Sequence, residues 1–223
     1  MNYKQLIDTQ GYFILKNIFS EKEINDFKSD ILEYTKSNKT IKNASGITIP
    51  DFIKKSSLVR VSKIKENQKI NTVLHEIFGE NYRFCEHNDI GINRIVGWHK
   101  DKLNGLYAKY ETVDIWSEHK GEKHEIVKVL TYLEDHTNDD DGLKIVPSSH
   151  IKRKINSNGF IQLRPSLGDV IIFDQRITHR GMTRQVKNPR ILVSFGFGKN
   201  NIFTDNFEKG TVIRQNKQNN IIK

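Results

Sequence analysis

The sequence predicts a mainly β fold supported by helices near its N-terminus. From residue 81 onward, short runs rich in β-branched and aromatic residues alternate with turn-forming residues, at the spacing of a sandwich or barrel. Before residue 80, two segments carry apolar residues at helical spacing instead. No Pro-, Gly- or Ser-rich linker divides the 223 residues, a length that fills one core. The predicted organisation is one domain over residues 1–223, with support over about 1–80, a β core over about 81–198 and a polar tail over 199–223.

Taken in order, residues 11–18 (GYFILKNI) read as a short buried strand opening on a glycine. Ser20 and Glu23 match a capping box, and Ile24, Phe27, Ile31 and Tyr34 then recur on one helical face. Residues 38–57 hold many Ser, Thr, Asn and Lys and read as loop. Residues 56–64 (SSLVRVSKI) alternate like a strand, and residues 70–79 (INTVLHEIFG) read as a helix stopped by Gly79. The β region comprises YRFCEHN, GINRIVGWH, EIVKVLTYLE, LKIVPSSH, FIQLRP, DVIIFDQ and RILVSFGFG. The stretch between Lys102 and Lys123 is too long for a plain hairpin connection and has the length of a lid or binding loop. In the polar tail only FTDNF has the composition of a packed segment.

Composition narrows the function classes. No run approaches the length of a membrane span, and the first thirty residues lack the pattern of an export leader, so a soluble, cytoplasmic protein is expected. The lone Cys85 has no internal disulfide partner and reads as a small buried hydrophobe. The net charge of +9 comes from scattered lysines, without a dense basic run or aromatic-basic interleaving, which argues against a nucleic-acid partner. Arg60 and Lys63 read more readily as surface residues than as pocket lining. Asn138 to Asp141 lacks the spacing of a calcium loop and reads as a solvated turn.

The chemistry-bearing stretch is Gly97-Trp98-His99-Lys100-Asp101. On a strand, residues two apart face the same side, so His99 and Asp101 can present an imidazole nitrogen and a carboxylate to one point. Spacing alone does not choose this pair, because His87-Asn88-Asp89 repeats it, and either pair by itself is an ordinary polar cluster. Downstream, GDVIIFDQRITHRG puts His179 just beyond an apolar strand, and Arg190 opens RILVSFGFG. Two histidines and one carboxylate on one face, with other positions open, form the triad that holds non-haem Fe(II). A planar arginine fork near the second histidine suits the far carboxylate of 2-oxoglutarate.

WHKD, LTYLEDHTNDDDGLKIVPSSH, GDVIIFDQRITHRG and NPRILVSF resemble, in order and character, the phytanoyl-CoA dioxygenase family of Fe(II)/2-oxoglutarate-dependent oxygenases. The opening GYFILKNIFSEKEINDF is also similar, so the resemblance covers about residues 10–198. It implies a double-stranded β-helix, the cupin-like jelly roll, with His99, Asp101 and His179 as iron ligands and Arg190 as the 2-oxoglutarate anchor. It also implies Fe(II), 2-oxoglutarate and O2 as the cofactor set, while the short chain and modest lid favour a small-molecule substrate over a macromolecule. GLKIVPSSH matches a shaping turn of the family, with Ser148 in place of glycine, which leaves His150 outside the metal set. Gly168-Asp169 matches a structural turn.

This chain departs from many relatives in having Gly181, not Ser or Thr, two residues after the distal histidine. Another group must then supply that hydrogen bond to the co-substrate. By strand parity with the resembled family Lys128 and Tyr132 point inward; Tyr132 is the candidate, with plain barrel packing an equal reading. Trp98 reads either as core packing or as the mouth of the site. The expected activity is hydroxylation of an unactivated C–H bond with release of succinate and CO2. Three other readings share these motifs: a cupin-type metalloenzyme without 2-oxoglutarate, a non-catalytic barrel, and a macromolecule demethylase of the same superfamily.

Overall fold

The computed structural model describes residues 2–136, 142–182 and 189–221. In chain order the elements are α1 (Tyr3–Thr9), β1 (Tyr12–Leu15), α2 (Glu21–Ser37), β2 (Ile41–Asn43), β3 (Gly46–Pro50), α3 (Val59–Ser62), α4 (Gln68–Phe78) and β4 (Tyr82–Ile92). They continue with β5 (Ile126–Tyr132), β6 (Lys144–Val146), β7 (Ile161–Gln162), β8 (Val170–Asp174), β9 (Thr178–Arg180), β10 (Ile191–Lys199) and α5 (Ile202–Ile221). Seven strands form one antiparallel sheet in the order β1-β8-β5-β10-β4-β3-β2, and three form a smaller one in the order β7-β6-β9. This mainly antiparallel architecture with flanking helices is the fold class read from the sequence.

Both faces of the large sheet are covered, which explains why β8 begins as an unbroken apolar run and β5 is broken only by Lys128 and Thr131. Every residue of β5 and β8 is buried. Val127, Val129, Val170 and Ile172 pack against Ile24, Phe27 and Ile31 of α2 and Ile70, Leu74 and Ile77 of α4 in one core cluster. The alternate residues Leu130, Tyr132, Ile171 and Phe173 meet Leu143, Ile145, Leu163 and Ile177 from the small sheet and its flanks. Period-two alternation thus sorts one strand into two cores. Each fully buried Ile or Leu contributes roughly 1.5–3 kcal/mol relative to leaving it exposed.

The N-terminal signals are realised locally. Ser20 and Glu23 form a reciprocal capping box on α2, whose buried residues are Ile24, Phe27, Ile31 and Tyr34. Gly79, at φ +75°, ends α4. Helix α1, which the sequence reading did not contain, starts on a second capping box formed by Asn2 and Gln5.

Three expectations are corrected. Residues 56–64 are helical turns rather than a strand: Leu58, Val61 and Ile64 are buried at three-residue spacing while Val59 stays 53 % exposed, so the apolar positions follow a helical period. Residues 38–57 are not all loop, because β2 and β3 form a hairpin and β3 pairs with β4 from Ile47↔Ile92 to Pro50↔Asp89. The polar tail is a 20-residue helix packed well beyond FTDNF, burying Phe203, Thr204, Asn206, Phe207, Gly210, Thr211 and Gln215. That buried side is largely polar or small, so it shows no apolar stripe. Arg83 on β4 pairs with Asp205 and Glu208 and ties the helix to the large sheet.

The insertion after Lys102 carries a 3-10 turn at Gly105–Tyr110, and its Leu103, Tyr107 and Tyr110 pack with Cys85, Ile126 and Phe207 of α5. Cys85 is buried, as read from its sequence. Among the described residues no helix is long and apolar enough to cross a membrane.

Gly168 forms the turn that locks β1 to the entry of β8. Its carbonyl accepts from the N–H groups of Ile18 (2.9 Å) and Phe19 (3.1 Å). At φ +86° it holds a left-handed conformation, and a Cβ there would collide with the Phe19 carbonyl. Gly168→Ala should lower the unfolding free energy by roughly 2 kcal/mol or more, read from urea denaturation.

Candidate metal centre and its cavity

His99 and His179 are brought together by the backbone before any side-chain contact is considered. The His99 N–H donates to the His179 carbonyl at 2.9 Å, and the His179 N–H donates back at 3.0 Å. This reciprocal pair is an antiparallel bridge, in which directly opposed residues present side chains on the same face. It extends the small sheet, since His179 also pairs with Ile145 of β6. The two imidazole centroids lie 4.1 Å apart. Two residues on, Asp101 keeps the same face, and its N–H donates to the Gln175 carbonyl at 3.0 Å.

Asp101 Oδ1 sits 3.2 Å from His99 Nε2 and 3.7 Å from His179 Nε2. One donor atom from each of the three residues lies within 4.8 Å of the others, and among the described residues this is the one group of three such donors so arranged. Each ring is oriented by its other nitrogen: Nδ1 of His99 faces the Gly97 carbonyl at 2.8 Å, and Nδ1 of His179 faces the Ile177 carbonyl at 3.1 Å. A carbonyl only accepts, so Nδ1 carries the proton and each Nε2 keeps its lone pair for the common point.

The electrostatics suit the same arrangement. Burial pushes His179 down to about 4, against the opposing pull of Asp101, so this imidazole is neutral at neutral pH. Burial alone would raise Asp101, but Lys128, His179 and His99 together hold it well below the usual carboxylate range. Burial lowers His99, and the hydrogen bond and charge of Asp101 outweigh it, so its net shift is upward. Lys128 is fully buried, with Nζ 3.8 Å from Asp101 Oδ2. Behind Asp101, the Gln175 amide donates to the Asp101 carbonyl and its Oε1 meets Nε2 of the buried His124 at 2.9 Å. Two imidazoles and a carboxylate on one side of a cavity suit a divalent transition metal that keeps positions open, whereas a closed structural zinc site would need a fourth protein donor.

The donors face a cavity of about 440 Å³, in the range that holds small-molecule ligands. Tyr132, Leu130, Leu143, Leu192 and Met182 line it together with Arg190. Tyr132 is buried with its ring 4.0 Å from His136, and burial raises its hydroxyl pKa against the nearby Arg190 charge. Arg190 is held by its backbone N–H to Asn93 Oδ1 and by Nη1 to the Asp135 carbonyl, both at 2.8 Å. All five residues singled out in the sequence therefore line one cavity.

The other sequence candidates stand apart from the triad. His87 and Asp89 also line the cavity, but Asp89 is paired with Arg214 at 2.8 Å, and among the described residues no third metal-type donor joins them. His150 turns its Nε2 to the Asp8 carbonyl at 3.1 Å, and Ser148 takes φ +59° where the resembled turn has glycine. Arg60 pairs with Asp26 and Asp30 on the surface of α2. Trp98 is half-buried, 5.5 Å from the Phe160 ring and under the Arg180 guanidinium, outside the main core. The acidic stretch Asn138 to Asp141 lies outside the described residues. The sequence reading missed the Gln175–His124 support and the contributions of Arg94 and of Arg214 on α5. Lys128 interrupting the apolar run IVKVLTY was the visible signal for a functional inward position.

The family model described as phytanoyl-CoA dioxygenase matches residues 7–191. No curated protein sequence matches the chain. Among solved structures, HygX from Streptomyces hygroscopicus with nickel, 2-oxoglutarate and hygromycin B bound is 17 % identical at TM-score 0.68, over 87 % of this chain and 85 % of HygX. The 2-oxoglutarate-dependent epimerase SnoN from nogalamycin biosynthesis is 11 % identical at TM-score 0.67, over 88 % and 82 % of the two chains. The carbocyclase SnoK from nogalamycin biosynthesis is 15 % identical at TM-score 0.64, over 88 % and 83 %. At these identities the likeness is one of fold.

Gln175→Leu would leave the Asp101 carbonyl and His124 Nε2 buried without their partner. It should cost about 1–3 kcal/mol of folding stability by urea denaturation, whereas Trp98→Leu outside the core should cost less than about 1 kcal/mol.

Proposed function

The chain belongs to the phytanoyl-CoA dioxygenase family, and on that premise we propose that it is an oxygenase using Fe(II), 2-oxoglutarate and O2 to hydroxylate an unactivated C–H bond of a small molecule. The carrying observation is the convergence of His99, Asp101 and His179 on one wall of the cavity that also contains Arg190. These three side chains hold the iron in this reading, and Arg190 receives the far carboxylate of 2-oxoglutarate. Held by these residues, Fe(II) would supply the coupling of 2-oxoglutarate decarboxylation to substrate oxidation, in which one atom of O2 would enter succinate, the other would become the new hydroxyl, and CO2 would leave.

The protein's own residues position and shelter that chemistry. The Nδ1–carbonyl contacts fix both rings, Gln175 fixes the backbone of Asp101, and Lys128 balances the carboxylate from behind. Leu130, Leu143, Leu192 and Met182 give the cavity an apolar lining that, in this reading, shields the chemistry from water. Tyr132 lies beside Arg190, where its hydroxyl takes over the hydrogen bond that Gly181 cannot make. Asp101 stands where related halogenases have a small residue, which favours return of a hydroxyl over a halide. HygX was crystallised with 2-oxoglutarate and hygromycin B, and SnoN and SnoK are an epimerase and a carbocyclase. A small-molecule substrate is in keeping with these neighbours, while the reaction outcome is the part to test. A cytoplasmic location, where ferrous iron and 2-oxoglutarate are available, completes the reading.

Adding 2-oxoglutarate anaerobically to the Fe(II) protein should produce a visible metal-to-ligand absorption band, and aerobic incubation should release succinate. His99→Ala should lower both by at least ~100-fold, more than loss of an outer contact costs. Arg190→Ala should raise the 2-oxoglutarate concentration needed by roughly 10–100-fold while leaving iron content unchanged. Full turnover in His99→Ala, or an unaltered co-substrate requirement in Arg190→Ala, would remove that residue from its role. Incorporation of one 18O atom from labelled O2 into product separates hydroxylation from epimerisation or ring closure.

A further inference from the structure

The cavity extends past the triad to a wall built from β3, β4 and α5, on the other side of β10 from Tyr132. Most charges along it are already matched. Asp89 takes Arg214 Nη2 at 2.8 Å, and Arg214 Nη1 donates to Gln218 at 2.6 Å. Lys100 spends its ammonium on the Ser149 and Arg176 carbonyls at 2.8 and 2.6 Å. Lys128 faces Asp101. His87, pushed down to about 3 by burial and by Lys128, adds no charge at neutral pH.

Lys102, which also lines the cavity, is exposed to solvent, so Arg94 is the half-buried exception. Its Nη1 donates to the Thr48 hydroxyl, its Nε is buried with no acceptor, and no described carboxylate lies within ion-pair distance of it. A guanidinium has five donors, stays charged at any working pH, and is costly to bury without an acceptor. The fold nevertheless directs it inward. Asn93 adopts φ +52° just before it, and the Arg94 side chain then lies back across Gly91, where a Cβ would stand 2.8 Å from Arg94 Cγ. Gly91 is opposite Thr48 in the β3–β4 register, so the strand pair supplies both the slot and the first hydrogen-bond partner. Arg190 leaves the neighbouring chain position toward Tyr132 and the Asp135 carbonyl, so the two guanidinium groups diverge.

We infer that the primary substrate carries an oxyanionic group, a carboxylate or a phosphate, and that Arg94 and Thr48 receive it. This rests on the oxygenase reading and names the substrate chemistry of the same site: Arg190 takes the co-substrate, and Arg94 takes the anionic end of the molecule to be oxidised. The polar surroundings, Thr48, Ser194, Asp89, Arg214 and Gln218, suit a compact polar metabolite rather than a long acyl chain.

The test uses protein loaded with Mn(II) and saturated with 2-oxoglutarate. Butyrate, methylphosphonate and the neutral butyramide are titrated while paramagnetic relaxation of their 1H or 31P nuclei is recorded. Saturable, metal-proximal binding of butyrate or methylphosphonate but not butyramide is expected, and the preferred anion identifies the group. Arg94→Gln should weaken that binding by roughly 10–100-fold, Arg94→Lys should restore part of it, and 2-oxoglutarate affinity should stay within about twofold. Thr48→Val should give a smaller loss and serves if Arg94→Gln does not fold. Equal binding of butyramide, no anion binding in the wild type, or undiminished binding in Arg94→Gln overturns the inference. So does a loss of 2-oxoglutarate affinity in Arg94→Gln as large as in Arg190→Ala, which would make Arg94 a second co-substrate anchor. If 2-oxoglutarate fails to bind the wild type, the oxygenase reading falls by itself; anion binding to the Mn(II) protein alone then still supports Arg94 as an oxyanion site, and its absence removes both.

Discussion

The reciprocal backbone bond between His99 and His179 is the constraint on which the centre depends. It joins the segment that follows β4 to β9, two pieces of chain far apart in sequence, and fixes the facing direction of both imidazoles at once. Asp101 then falls on the same face by strand geometry, and Gln175 closes the arrangement from the next position along the same strip. The side chains inherit their convergence from a sheet contact. Such contacts are cooperative with the surrounding sheet, so the donor set is prepared by folding rather than assembled around an ion.

That contact holds because the sheets beneath it are rigid. β5 and β8 are buried on both faces, so shifting either strand by one residue would exchange the helix-facing core for the cavity-facing one. Register is therefore specified twice over, once by α2 and α4 and once by the small sheet. Lys128 is tolerated inside this core because Asp101 is within reach, and Asp101 is held ionised partly because Lys128 is there. The buried pair belongs to the site more than to stability, since mutual desolvation offsets much of what the charges gain.

Much of this was legible in the sequence because it depended on short-range rules. Two-residue parity placed His99 with Asp101, parity with the resembled family turned Lys128 and Tyr132 inward, and the capping box and apolar face of α2 were written in adjacent residues. What stayed hidden depended on distant partners. The β2–β3 hairpin is short and set among polar residues, and takes its order from pairing with β4. The 56–64 segment has residues that suit a strand, yet its burial follows a three-residue period set by the helices around it. Helix α5 buries threonine, asparagine, glycine and glutamine, which no hydrophobicity pattern marks as an inner face. Arg94 was missed because the left-handed Asn93 breaks strand parity just before it.

Helix α5 contributes Phe207, Thr211, Arg214 and Gln218 to the cavity but none of the three grouped metal-type donors. On the proposed reading, the molecule thereby separates reactivity from choice of target. Descendants could exchange the last helix, altering charge and shape at the far end of the chamber, while the His99–Asp101–His179 strip stays as it is. A scaffold divided in this way can diversify what it acts on without relearning how to act.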